Sequence, residues 1–351
     1  MANNKFNPGP IAFFGSGETA PNGRKVFETL FQKLPDNPLV SLLETPAGFE
    51  LNSPRVAEKI ADYIIKHLQN FRPETRIIPA RKKGKPESPD NPELLAPMLA
   101  SDLLFLGPGS PTYAVHQLRD SLAWSYLRAM HLTGTGLALA SASTLAVGAY
   151  TLPVYEIYKV GMDLHWQPGL DLFSSFNLSV SFIPHWNNTE GGDELDTSRC
   201  FVGRARFDPL FQRLPREHLV IGMDEHTGLV FDFKHGSCEV IGLGSITLKS
   251  FQGETSYPSG SRFPISDLGQ WQIPENQPDL TTEILENIRV KRMERNEGKK
   301  PQEEVIKLAN KRQTAREQQD WQTADQIRDQ LVNLGWEVLD TETGYELKPL
   351  S

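Results

Sequence analysis

Short apolar runs recur along the first half of the chain, each followed by a turn and a stretch of helical character. The runs are Ile11 to Phe14, Leu39 to Leu43, Thr75 to Ile78, Leu103 to Leu106 and Leu137 to Ala140. Between them, Arg24 to Lys33, Leu94 to Leu99 and about Tyr113 to Ala129 read as helices. Arg55 to Asn70 carries Val56, Ile60, Tyr63, Ile64 and Leu68 at helical spacing. A strand that is apolar on both sides must be covered on both faces, which a parallel sheet between helical layers achieves. The expected fold class is therefore α/β, a mostly parallel sheet flanked by helices. Beyond residue 170 the pattern turns to hairpins, which predicts antiparallel strands at one sheet edge. Val220 to Val230 reads as such a hairpin and Cys238 to Leu248 as a closing strand.

In Leu137-Ala138-Leu139-Ala140-Ser141-Ala142-Ser143-Thr144-Leu145-Ala146-Val147-Gly148 a buried strand turns into a helix, with Ser141 at the bend. Small residues from Ala142 onward let that helix pack closely, and its unpaired N–H groups can stabilise an oxyanion. The same residues also read as a plain helix start in which Ser141 or Ser143 is an N-cap. Ile183-Pro184-His185-Trp186 follows the strand-like run Asn177 to Phe182, which puts His185 at a strand's carboxyl end, where open α/β sheets place ligand sites. The turn at Asp224-Glu225-His226 adds carboxylates. A serine hydroxyl becomes a nucleophile when a neutral imidazole takes its proton, and a carboxylate fixes the imidazole's tautomer. Ser141, His185 and Glu225 supply these groups in that order, with Asp224, His226 and Asp163 as rival orienting groups. Gly107-Pro108-Gly109-Ser110-Pro111-Thr112-Tyr113 is a loop whose glycines admit close approach to a substrate. The Gly15-Ser16-Gly17-Glu18 turn lacks a third glycine and no Walker lysine follows, so a nucleotide site is not expected.

Taken together, residues from about Gly9 to Leu248 resemble the cyanophycinase and aspartyl dipeptidase family of serine peptidases, whose fold is related to class I glutamine amidotransferases. The family's G-[TW]-S-A-G-A segment is matched at Ser141 and Ala142, and its D-Q-H-F or N-P-H-Y context by Ile183-Pro184-His185-Trp186. Its Arg-rich stretch corresponds to Arg204 through Leu214, and its G-[IL]-D-E-x-T-A turn to Gly222 through Gly228. The resemblance implies a class I glutamine amidotransferase-like fold, a Ser141, His185 and Glu225 triad, and backbone oxyanion donors at Gly109 and Ala142. It implies a small peptide or amide substrate, with no cofactor and no metal. Relatives favour aspartyl-containing peptides, which makes Arg204 and Arg206 candidate partners for a substrate carboxylate. Two positions depart from the family pattern: Leu139 stands where relatives carry glycine, and Ser143 replaces the glycine two residues after the nucleophile. A strained elbow needs small flanking side chains, and Leu139 is bulky.

The chain of 351 residues has a formal net charge of -8, which argues against bulk attraction to nucleic acid or anionic membrane. Cys200 and Cys238 are its only cysteines, too few for a disulfide framework and suited to a reducing compartment. No window approaches the ~18–20 apolar residues of a membrane span. The start, Met1-Ala2-Asn3-Asn4-Lys5, leads into Pro8 and a strand rather than an apolar leader, so a cytoplasmic location is expected. Residues 1–250 form the expected peptidase-like domain. Phe251 to Asp279, punctuated by Pro258, Pro264, Pro274 and Pro278, reads as a loop or tether, and Ile288 to Lys300 as a charged helix end, so 251–300 is expected as a linker.

Residues 301–351 are expected as a separate helical hairpin. Glu303 to Gln318 would turn Val305, Ile306, Leu308 and Ala309 inward, and Asp320 would cap a helix through Trp321, Ala324, Ile327, Leu331 and Leu334, stopped by Gly335. A strand, Trp336 to Leu339, and a turn around Asp340 to Gly344 close it. From Arg312 to Thr341 this unit resembles the small C-terminal domain of cysteinyl-tRNA synthetases. The synthetase's nucleotide-binding motifs and zinc ligands are absent, so aminoacylation is not implied. The expected partners of the unit are tRNA or a protein, and its small core suits docking or a homodimer.

Overall fold

The strands, in a computed structural model that describes residues 6–277, 279–298, 301–341 and 344–349, begin where the apolar runs do. Residues 1–5, part of the expected linker (Pro278, Lys299, Lys300) and the tip of the expected closing turn (Glu342, Thr343) lie outside the described residues. In chain order the strands are β1 (Ile11–Phe14), β2 (Leu39–Leu43), β3 (Glu74–Ile78), β4 (Leu103–Leu106), β5 (Gly136–Ala140), β6 (Tyr150–Thr151), β7 (Gln167–Pro168) and β8 (Val180–Ile183). They continue as β9 (Leu219–Met223), β10 (Thr227–Asp232), β11 (Ser237–Gly242), β12 (Ser245–Ser250), β13 (Gly253–Pro258), β14 (Arg262–Pro264), β15 (Trp336–Thr341) and β16 (Gly344–Pro349).

The main sheet has the order β14-β11-β10-β1-β5-β4-β2-β3. From β1 to β3 its pairings are parallel, and β10, β11 and β14 add antiparallel strands at one edge. Strand β5 shows why the runs are continuously apolar. Its Leu137 and Leu139 join Ile11, Phe13 and Phe173 on one face, whereas Ala138 and Ala140 join Ala12, Phe14 and Phe27 on the other. Both faces are closed, so neither side of the strand can be polar. Among the described residues no helix is long and apolar enough to cross a membrane.

A second sheet, β13-β12-β9-β8, was not legible from the sequence, and it corrects three expectations. The Val220 to Val230 segment is no hairpin: β9 lies in the second sheet and β10 in the main one. Cys238 to Leu248 is likewise two strands, β11 and β12, placed in different sheets. The expected tether after Phe251 is instead built into the fold, with β13 pairing along β12 and β14 along β11, and Phe263, Ile265 and Leu268 buried. The residues of β13 from Gly253 to Ser256 are exposed, so that strand lacks the apolar alternation by which strands are recognised. The expected helix from Tyr113 to Ala129 is also two, Pro111–Leu118 and Leu122–Leu132, divided where Asp120 takes a φ of 54° and the Ser121 hydroxyl caps the second.

The chain divides into two compact units, Met1–Ile288 and Arg289–Ser351. The charged stretch after Ile288 continues a helix, Thr282–Gly298. In the smaller unit the helices Glu303–Glu317 and Trp321–Asn333 pack with the β15–β16 hairpin around Val305, Ala309, Ile327, Leu331, Trp336 and Val338. Ile306, expected inward, is exposed, and Arg312 is buried on the same helix as Ala309. Its guanidinium donates to both Asp340 oxygens, at 2.7 and 3.2 Å, and is almost fully buried. Asp340→Asn would strand that buried charge, and with Asp340 half-exposed the expected cost is about 2 kcal/mol. The measurement is hydrogen exchange of the amides around Ala309; unchanged protection would show that Arg312 finds other solvation.

Candidate active site

The carboxyl ends of β1, β4 and β5 meet at one edge of the main sheet. Register aligns Phe14 with Ala140 and Leu106 with Leu139, so the loops starting at Gly15 and Gly107 flank Ser141 on either side. Ser141 itself adopts φ 53° and ψ -110°, a conformation that a non-glycine residue holds only under constraint. Helix Ala142–Ala146 starts directly after it. Among the described residues the Ser141 hydroxyl makes no hydrogen bond, so it is not serving as an N-cap.

The two departures from the family pattern are both accommodated. The Leu139 side chain is fully buried in the core cluster that contains Phe13 and Leu137, away from the bend. Ser143 donates its hydroxyl to Gly107 O at 2.7 Å, a bond that glycine could not make. That bond ties the elbow helix to the loop bearing Gly109. Gly109 has φ +147°, and a Cβ there would lie 2.0 Å from Pro46 O, so the position requires glycine.

His185 follows β8, also with a positive φ of 53°, and its N–H donates to Gly15 O at 3.0 Å. Because Gly15 is level with Ser141, this bond carries the histidine to the elbow. Trp186 N–H donates to Met223 O, and β9 then delivers the turn that holds Glu225. His185 Nδ1 and Glu225 Oε1 are 2.9 Å apart. An ionised carboxylate only accepts, so Nδ1 carries a proton; in the neutral imidazole this leaves Nε2 its lone pair, the tautomer a general base needs. His185 and Ser141 are not hydrogen-bonded to each other in this structure; such contacts commonly tighten only when substrate binds.

Burial acts to raise the Glu225 carboxyl, but hydrogen bonds from His185 and Asn188 outweigh it and hold the group below the ordinary glutamate range. Of the rival orienting groups, Asp224 accepts from Ser245 N–H, and its pKa is raised by burial. His226 donates its backbone N–H to Ser16, and Asp163 meets His165 through its backbone carbonyl. Glu225 alone of these acidic residues bonds His185. Cys200, whose amide donates to His185 O, is no rival nucleophile, since burial pushes its thiol up to about 12.

Arg204 and Arg206 open the helix Arg204–Phe211. Arg206 donates to the carbonyls of Val202 and Phe201 at 2.6 and 3.2 Å, so its guanidinium braces a backbone turn. That turn is unusual: Arg199, Cys200 and Phe201 all have positive φ, and the Phe201 ring lies 5.7 Å from that of His185. Arg204 is exposed, with its N–H on Asp196.

Sequence reasoning missed Asn187 and Asn188. Asn188 donates to the same Glu225 oxygen at 2.8 Å, and the Asn187 side-chain carbonyl accepts from Glu225 N–H at 2.8 Å. Their signal was an amide pair immediately after His185-Trp186, visible but indistinguishable from turn-forming asparagines. Also missed was buried Arg199, which stacks on Trp186 at 3.7 Å.

No protein-family profile matches the chain, and no curated protein matches it. Among solved structures it is similar to a peptidase from an acI-B1 actinobacterium, with a TM-score of 0.58 and 20% identity over 73% of this chain and 97% of that one. The two share a fold. A putative peptidase E protein from Listeria monocytogenes EGD-e superposes less well, at TM-score 0.44 and 13% identity over 70% of this chain and 100% of that one.

Proposed function

We propose that the chain is a serine-type hydrolase of peptide or amide bonds. The observation that carries this reading is His185, locked on Glu225 through Nδ1 and brought by Gly15 to the strained Ser141 elbow. In this mechanism Nε2 takes the Ser141 proton as the oxygen attacks the carbonyl. The Gly109 and Ala142 amides hold the oxyanion, and Nε2 returns the proton to the leaving amine. Water then repeats the cycle on the acyl-enzyme. An aspartyl preference would rest on Arg204 rather than on Arg206, whose guanidinium is engaged with the backbone. The structural likeness to an actinobacterial peptidase supports the reading at the level of fold.

A fluorophosphonate probe tests it. Labelling of the wild type that disappears in Ser141→Ala is the expected outcome. The competing reading is a catalytically silent protein that binds tRNA or a protein through residues 301–351, and it is favoured by the exposed Trp321 with Arg316 over its ring at 5.5 Å. Absent labelling together with salt-sensitive tRNA binding would replace the hydrolase with that alternative.

A further inference from the structure

Asn188 touches both members of the His185 and Glu225 pair. Its backbone N–H donates to His185 O at 3.2 Å, and its side-chain Nδ2 donates to Glu225 Oε1 at 2.8 Å. Only 2% of the residue is exposed. Among the described residues no side chain other than His185 and Asn188 hydrogen-bonds that carboxylate, and both use the same oxygen.

The orientation of the amide is fixed by its other end. Oδ1 accepts from Glu190 N–H at 3.1 Å, and since a backbone N–H only donates, the acceptor end of the amide faces Glu190 and the donor end faces Glu225. The rest of the loop holds this turn shut. The Thr197 hydroxyl donates to Asn188 O and accepts from Gly191 N–H at 3.0 Å, after which Arg199 donates to Trp186 O and the Cys200 amide to His185 O.

We propose that Asn188 is a positioning residue of the triad, one that fixes the Glu225 carboxylate oxygen against His185 Nδ1. The proposal rests on the hydrolase reading above and deepens it. One buried residue bonds the histidine's carbonyl and the glutamate's carboxylate together, so their separation is set by a locked amide rather than by the flexible glutamate stem. The same donor favours the ionised carboxylate, in keeping with a Glu225 carboxyl that His185 and Asn188 hold low against burial. The other titratable groups near Glu225 are Asp224 and His226 on its own turn and Cys200, whose amide meets His185 O. None of the three hydrogen-bonds the carboxylate.

Two substitutions test the assignment. Asn188→Ala removes the donor, and Asn188→Asp keeps the shape but sets a second carboxyl against Glu225. The rate of fluorophosphonate labelling at Ser141 is expected to fall about thirtyfold in Asn188→Ala, the scale of one hydrogen bond to a charged acceptor. In Asn188→Asp two carboxyls at hydrogen-bond distance share one proton, and the introduced group can donate to Glu225 only while that proton is present. The ratio of its labelling rate to that of the wild type should therefore fall as pH rises from about 5.5 to about 8.5. A merely structural defect would leave that ratio independent of pH. Proton NMR of the His185 Nδ1–H needs no turnover: its low-field resonance is expected in the wild type and should broaden away in Asn188→Ala.

An Asn188→Ala labelling rate within about threefold of the wild type, a pH-independent Asn188→Asp ratio, or an Nδ1 resonance undisturbed by Asn188→Ala overturns the proposal. The isosteric Asn188→Asp carries the test by itself if the alanine variant does not fold. A wild type that takes no label sinks the hydrolase reading instead, and the resonance then still decides whether Asn188 holds the pair.

Discussion

Glu225→Ala is expected to lower kcat by about 10⁴, with the fold intact and KM little changed. Two effects combine in that loss. Without the carboxylate, nothing holds the proton on His185 Nδ1, so part of the population carries it on Nε2 and cannot accept from Ser141. The imidazolium that forms during attack also loses its counter-charge. Glu225→Gln separates the two. Asn188 donates to the same oxygen that faces His185 and, in the variant, pins the glutamine carbonyl there, preserving the tautomer while removing the charge. Its kcat should fall less, by about 10³. Steady-state rates on a peptide substrate, with circular dichroism as the folding control, make the comparison. A loss under tenfold in Glu225→Ala would remove this carboxylate from the catalytic machinery.

The second large effect is acid unfolding driven by two histidines outside the site. His131 is fully buried between Phe176 and Phe233, and His218 sits buried between Ser179 and Ser181. Burial lowers each to about 4. The His218 tautomer follows from its partners. The Ser181 hydroxyl donates to Tyr150 O and so accepts from Nε2–H, which leaves Nδ1 to accept from Ser179. Charging either ring would break these arrangements. In the unfolded chain both take up protons near ~6.5, so between that pH and about 4 the unfolded state binds more protons and stability falls as pH falls.

A shift of this size corresponds to roughly 3 kcal/mol per histidine, together comparable to the whole stability of many domains. The loss levels off below about 4 for these two groups, where Glu225 and Asp232, held low by their partners, begin to add theirs. Asp171 and Asp224, raised by burial, offset part of it. Urea unfolding between pH 7.5 and 4 should show this slope. His131→Phe should remove about half of it; the ring relieves an Nε2 that has no partner but gives up the 3.4 Å contact of Nδ1 with Thr135 O, so stability at pH 7 should change little. An unchanged slope in that variant would show that His131 is solvated through local opening.

Ser141 was visible because a strand that ends in small residues and turns into a helix leaves a local pattern. His185 and Glu225 were visible as residue types in order, yet the reason they meet was not. It lies in the parallel pairing of β8 with β9, which sets Ile183 level with Gly222 and brings the residues after both strands together, whereas the local pattern of apolar residues flanking a turn is the same for a hairpin and for a chain crossing between sheets. The same blindness made a tether of β13, whose exposed residues carry no periodicity, and a single strand of β11 and β12. Arg206 is a different case. A cation in the right stretch of sequence suggested a substrate partner, but its guanidinium faces backbone carbonyls of its own turn.

What the sequence determined by itself was the parallel core and the bend at Ser141, because both depend on neighbours a few residues apart: apolar runs that need two covered faces, and small side chains at a tight turn. The pairing of His185 with Glu225 and the support from Asn187 and Asn188 were decided only by tertiary structure. Each joins groups tens of residues apart in the chain, and their approach is governed by strand order and register, which local composition does not encode.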